Sequence, residues 1–358
     1  MNKSQCISAS PTSDFWKKKE IVSFLLSILV VLIHVSSFAQ YSLSLNLEDN
    51  VSNFVNFMDK VVTDCFTRYA VPLYFIISGA LFFRDYDDKK YFVKIKKRIS
   101  TIFVPYIIWN VLGLLFAIGT SYTFISNYFI GREKFVISVS SVLNAIFHHG
   151  CNGVFWFIFN LMFFILISPV INKVIRNRYV GIAVTLLVAI LCLFDIGLPE
   201  AIFTYPVSIV YYMVGAIIGK HFFEGFCKKS SLKTQIVSLV ILLTAGVLFY
   251  FMDELDTNPI FAFIFILCAW AFWNAADLFV SRFPSFPMVK NSFAIYALHS
   301  NLLSIFAKLL FLLLPKNGWM ALPNFILTLS LTLIFIRLFC YVLNKLSPKL
   351  FKIITGGR

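Results

Sequence analysis

Apolar residues fill this chain in long blocks, separated by short stretches that are polar and mostly basic. A bilayer core of about 30 Å is crossed by a helix of about 17–25 apolar residues. Ten windows approach that length: about 21–38, 69–83, 101–120, 154–172, 179–194, 201–219, 235–252, 259–280, 292–314 and 321–343, the fifth being short. They predict an all-α fold, a polytopic membrane helix bundle of about ten transmembrane helices. One polar stretch has its own period. In "VSNFVNFMDKVVTDCF", Phe54, Phe57, Met58, Val61, Val62, Cys65 and Phe66 recur at helical spacing, which predicts an amphipathic helix leading into the second span. On its polar face Asp64 and Arg68 stand four apart, an orientation that supports a pair. A second long connection, residues 121–153, carries "GREK" and then "FHHGCNG". No repeat period is visible.

Composition agrees with the pattern. The 358 residues are 59% hydrophobic and 13% charged, with 42 Phe and a mean hydropathy of +0.83, whereas soluble domains are about half apolar and about 25% charged. A net charge of +14 would suit nucleic acid, but the Lys and Arg sit in short loops between apolar spans, and no soluble face carries them. The partner they imply is the lipid bilayer. With the amino terminus placed inside, 24 Lys and Arg fall in cytoplasmic segments and 5 outside, leaving Lys308 and Arg337 within spans. That asymmetry predicts both termini in the cytoplasm. Lys17 to Lys19, the apolar run and Ser37-Phe38-Ala39 resemble a secretory signal peptide. The long polar lead and the histidine inside the run favour an uncleaved first span.

Seven cysteines are scattered without paired spacing, which argues against a disulfide framework. His148, His149 and Cys151 lack a paired ligand spacing, so no metal is expected. No Gly-rich phosphate loop, GxSxG elbow or zincin motif is present.

The candidate chemistry lies inside the spans. "SFLLSILVVLIH" ends on His34, 13 residues into the first window and so roughly 20 Å deep at 1.5 Å per residue. An intramembrane imidazole is costly unless used or satisfied, and a neutral one can serve as a general base toward a hydroxyl. Arg68, at the outer mouth of "RYAVPLYFIISGALFF", must pair, snorkel or bind an anion. In the same stretch Ser78 and Gly79 permit close helix approach. The connector "DYDDKKYFVKIKKRISTIFVPY" reads as a basic anchor on anionic lipid or as a phosphate site built from Lys94, Lys97 or Arg98. "NSFAIYALHSNLL" adds a second intramembrane imidazole, His299, one turn after Tyr296.

Taken in order, these stretches resemble the acyltransferase 3 family of integral-membrane O-acyltransferases, over about residues 17 to 343. Glu20 and His34 fit the family's first helix, while Ser23 stands where that helix has an arginine. The nearest cations are Lys17 to Lys19. "VPLYFIISGAL", the pair Lys94 and Arg98, Pro105-Tyr106, Trp156-Phe157 and Asn291 to His299 match its further blocks. The resemblance implies three segments: a polar cytoplasmic lead at 1–16, an acyltransferase 3-like membrane domain at 17–346, and a short basic tail at 347–358. It implies transfer of an acyl group, usually acetyl, from cytoplasmic acyl-CoA to a hydroxyl of an extracytoplasmic or lipid-linked glycan, in the cell membrane. His34 is then the catalytic base. Arg68 orients the acceptor or stabilises the oxyanion, Lys94 and Arg98 hold donor phosphates, and His299 lines the donor path. A glycan exporter or flippase, or an inactive membrane scaffold of the same fold, are the rival expectations.

Overall fold

The computed structural model describes residues 12–35, 37–45, 48–123, 134–194, 196, 205–252, 261–283 and 287–357. Cys6, Gly131, Arg132 and Glu133 lie outside the described residues. Among the described residues every regular element is helical. In chain order these are α1 Ser13–Ile33, α2 Ser37–Ser44, α3 Asp49–Lys60, α4 Ala70–Phe83, α5 Tyr91–Arg98, α6 Val104–Tyr122, α7 Val139–Phe147, α8 Trp156–Leu166 and α9 Ser168–Val174. Then follow α10 Arg178–Leu193, α11 Ser208–His221, α12 Phe223–Cys227, α13 Leu232–Tyr250, α14 Phe261–Ala275, α15 Ser292–Leu313, α16 Ala321–Leu346 and α17 Pro348–Ile354.

Each of the ten apolar windows coincides with a helix. Six helical segments among the described residues are long and apolar enough to cross a membrane: 49–83, 88–122, 232–250, 261–278, 287–313 and 318–346. A seventh arises if α8 and α9, bent by 65° at their junction, form one broken span. Among the described residues six or seven spans thus stand against the ten expected, because some of the helices in those windows are too short or too polar to qualify. α1 opens on a run of charges, and α10 and α11 run for 16 and 14 residues. The amphipathic segment forms as expected: α3 continues through a π-helical turn at Val61–Cys65 toward α4.

The first helix departs from its window at both ends. Thr12 caps it by accepting from Phe15 N–H at 3.3 Å, so α1 starts at Ser13, ahead of the segment boundary expected at 17. Its charged lead is packed rather than trailing. Phe15 meets the rings of Phe223, Phe226 and Trp273 at 5.7–6.0 Å, and the Lys18 ammonium is buried 2.8 Å from the Asp277 carboxylate. At the other end α1 does not run to 38. The His34 and Val35 N–H groups bond the Val31 and Leu32 carbonyls, three residues back. That tightening closes the helix, because orphan terminal carbonyls are taken up in a narrower last turn. His34 is the residue that caps α1, not one within it.

Small residues set the closest helix contact. A Cβ on Gly215 would lie 2.1 Å from the Ile76 carbonyl oxygen, one on Gly219 2.3 Å from that of Ala80, and one on Gly79 2.4 Å from that of Tyr212. α4 and α11 thus touch backbone to backbone along a small-residue seam, which accounts for Gly79. The tail docks as well: Trp109 Nε1 donates to the Ile354 carbonyl at 2.9 Å, and Gly356, at φ +65°, lies against Thr101.

Candidate active site

One cavity of about 480 Å³ runs between α1, α4, α8 and α15. Lys19, Glu20, Ser23, Val30 and His34 line it along α1, so the helix itself is one wall. Between Lys19 and His34 that wall measures ~22 Å at 1.5 Å per residue. Lys19, Arg98 and Lys290 border the space together with Glu20. Aromatic and aliphatic side chains fill the remaining wall, among them Tyr74, Trp156, Phe157, Phe293 and Tyr296.

His34 turns its exposed surface into this space. It caps the carboxyl end of α1. Behind it lies His299, fully buried, with the two ring centroids 5.2 Å apart and the planes tilted by 41°. His299 Nδ1 contacts the Tyr296 carbonyl at 2.7 Å and the Ile295 carbonyl at 3.2 Å. A carbonyl can only accept, so Nδ1 carries the proton and Nε2 holds a lone pair. That Nε2 is buried with no hydrogen-bond partner among the described residues, beside the ring of His34.

Polar groups knit the inner wall. Ser27 Oγ bonds the Tyr74 hydroxyl at 2.7 Å, the Ser23 carbonyl at 3.0 Å and the Ser292 carbonyl at 3.2 Å, and the Tyr74 hydroxyl also donates to the Ser23 carbonyl. This knot ties α1 to α4 and α15. Tyr296 donates to the Val154 carbonyl at 2.6 Å, pinning α15 against the start of α8.

The expected site residues fall in four different places. His34 lines the cavity, whereas His299 stands one layer behind it and is not among the lining residues. Arg98 lines the cavity with its guanidinium over the Phe82 ring at 5.8 Å. Lys94, four residues earlier, points elsewhere: its ammonium donates to the Phe82 carbonyl at 2.8 Å and lies over the Phe82 and Tyr86 rings. Arg68 forms the expected pair, its Nε donating to Asp64 at 2.9 Å. Ser78 lines the cavity beside Gly79 of the helix seam.

Sequence reasoning passed over Ser27, Tyr74 and Lys290. Ser27 and Tyr74 carried a signal, being polar side chains in otherwise apolar spans. Lys290 carried none, since a loop lysine beside a span is what a cytoplasmic loop contains anyway.

A family model described as an acyltransferase domain matches residues 22–342. No curated protein and no solved structure matches.

Proposed function

The chain belongs to this acyltransferase domain family, and from that premise we propose that it is a membrane O-acyltransferase. In this reading it carries an acyl group, acetyl by expectation, from cytoplasmic acyl-CoA to a hydroxyl of an extracytoplasmic or lipid-linked glycan. Family and apolar helices together make it a multi-pass membrane protein. We place it in the cell membrane, with ten spans and both termini cytoplasmic. The 24-to-5 partition of Lys and Arg supports that orientation.

One observation carries the reading: a single cavity has cations on its border and an imidazole at the end of its helical wall. A donor held by its phosphates near Arg98 can extend its thioester toward His34. There His34 removes the acceptor hydroxyl proton, the oxygen attacks the thioester carbonyl, and the carbon–sulfur bond breaks. The thiolate leaves and takes the proton back from the imidazolium, so free thiol and O-ester are the products. His299 positions the base. Its Nε2 lone pair can accept one N–H of His34, which leaves the other His34 nitrogen bare toward the cavity. Arg68, with Asp64, serves the acceptor side.

The test is mass spectrometry of cell-surface glycans from cells with and without the protein. A protein-dependent O-acyl mass increment is the expected result. Identical glycans, together with no acyl-CoA hydrolysis by the purified protein, would point to an exporter or an inactive scaffold.

A further inference from the structure

We propose that Lys19, Arg98 and Lys290 form one three-point clasp for the donor's phosphates, in which the two lysines supply the charge that Ser23 does not carry. This rests on the acyl-CoA reading above and assigns its phosphate subsite.

The cations near the inner mouth sort themselves by whether they line the cavity. Lys18 is committed to Asp277 at 2.8 Å. Lys94 is committed to the Phe82 carbonyl. Lys17 is exposed and is not among the residues lining the cavity. Lys19, Arg98 and Lys290 all line it, and they come from α1, α5 and the turn at Pro287–Asn291. Elements far apart in the chain thus deliver positive charge to one space. Among the described lining residues Glu20 is the single carboxylate, so three cations face one anion there. Ser23 lines the same space one helical turn beyond Lys19. The charge absent from the helix wall at Ser23 is present around it.

The chemistry of these side chains selects the ligand. Arg98, laid over the Phe82 ring, presents a planar fork suited to two phosphate oxygens. Lys19 and Lys290 are point charges on flexible stems that adapt to a second phosphate. The ~22 Å of helix between Lys19 and His34 adds a length requirement. A ligand gripped at the clasp reaches His34 only if its reactive carbonyl rides on a long, extended arm. A coenzyme A thioester has such an arm, and an acyl phosphate does not.

The experiment titrates coenzyme A into the full-length protein in zwitterionic phosphatidylcholine nanodiscs, by calorimetry. Lys290 is exposed, so the expected weakening for Lys290→Ala is about three- to tenfold, with a similar loss for Lys19→Ala. Dephosphocoenzyme A should bind more weakly than coenzyme A to the wild type and lose less on either substitution. Lys17→Ala should leave affinity unchanged, and Lys290→Arg should keep it, showing that the fold is intact. Ser23→Arg added to Lys290→Ala should recover most of the loss. If the wild type binds coenzyme A and neither lysine variant weakens it, the clasp is wrong and the donor reading survives. If the wild type binds no coenzyme A, both fall.

Discussion

His34 and His299 face each other with ring centroids 5.2 Å apart, one capping the first long helix and the other buried in the second-last. Only one of the two is open to the cavity. Under the proposed mechanism His34 meets substrate and His299 positions it from behind, and substitutions should separate those roles. His34→Ala should lower the transfer rate by about 10²–10⁴-fold, the range for losing a general base, in protein that still inserts and accumulates. His299→Ala should lower kcat by about 10–100-fold, as when the partner orienting a functional histidine is lost, with the KM for acyl-CoA unchanged. His299→Gln should keep more activity than His299→Ala, because its amide oxygen can accept the same N–H. A raised KM with normal kcat would instead put His299 on the donor path.

Lys94 and Arg98 share a helical face in sequence, but the structure separates them: Arg98 borders the cavity and Lys94 is tied to the end of α4. Arg98→Ala should raise the KM for acyl-CoA at least tenfold, given about 1.5–3 kcal/mol for a charge-assisted contact. Lys94→Ala should leave KM in place and lower thermal stability. Steady-state kinetics and melting of both purified variants decide it. Equal KM effects would restore the two as a joint phosphate site.

The α4–α11 seam should tolerate no side chain. A methyl on Gly215 or Gly219 would meet backbone oxygen, which cannot rotate away. Gly215→Ala and Gly219→Ala should each destabilise the protein by about 1–3 kcal/mol or more. Fluorescence-detected size exclusion after heating should show earlier loss of the monodisperse peak. Gly225→Ala is the control, because nothing lies within 4 Å of its added Cβ.

Orientation is open to a direct check. Reporter fusions at Lys229 and Lys316 should read cytoplasmic and extracytoplasmic respectively, following the charge partition. The reverse pattern would invert the cavity and place its cations outside.

Much of this architecture was legible along the chain because its causes are local. A helix in hydrocarbon must satisfy its own backbone, so each apolar window announced a helix. The Asp64–Arg68 pair followed from four-residue spacing, and the Gly79 contact from the absence of a Cβ. The end of α1 was not legible. The run from Ser23 to Phe38 is continuously apolar or small apart from His34, and only the tightened turn at Val31 and Leu32 shows where it stops.

What the sequence determined by itself was a bundle of apolar helices, the basic loops between them, and two histidines set within apolar stretches. Which residues meet was decided by tertiary structure. In a soluble helix the polar face reveals which side is buried. In a bilayer the outer side is apolar too, as Leu112 and Leu115 of α6 and Ile334 and Leu338 of α16 show by facing outward. Inward and outward faces then look alike in sequence. The meeting of His34 with His299, the convergence of Lys19, Arg98 and Lys290, and the burial of Lys18 against Asp277 all depend on how helices rotate and pair. Packing of whole helices sets that rotation, and no short stretch of residues encodes it.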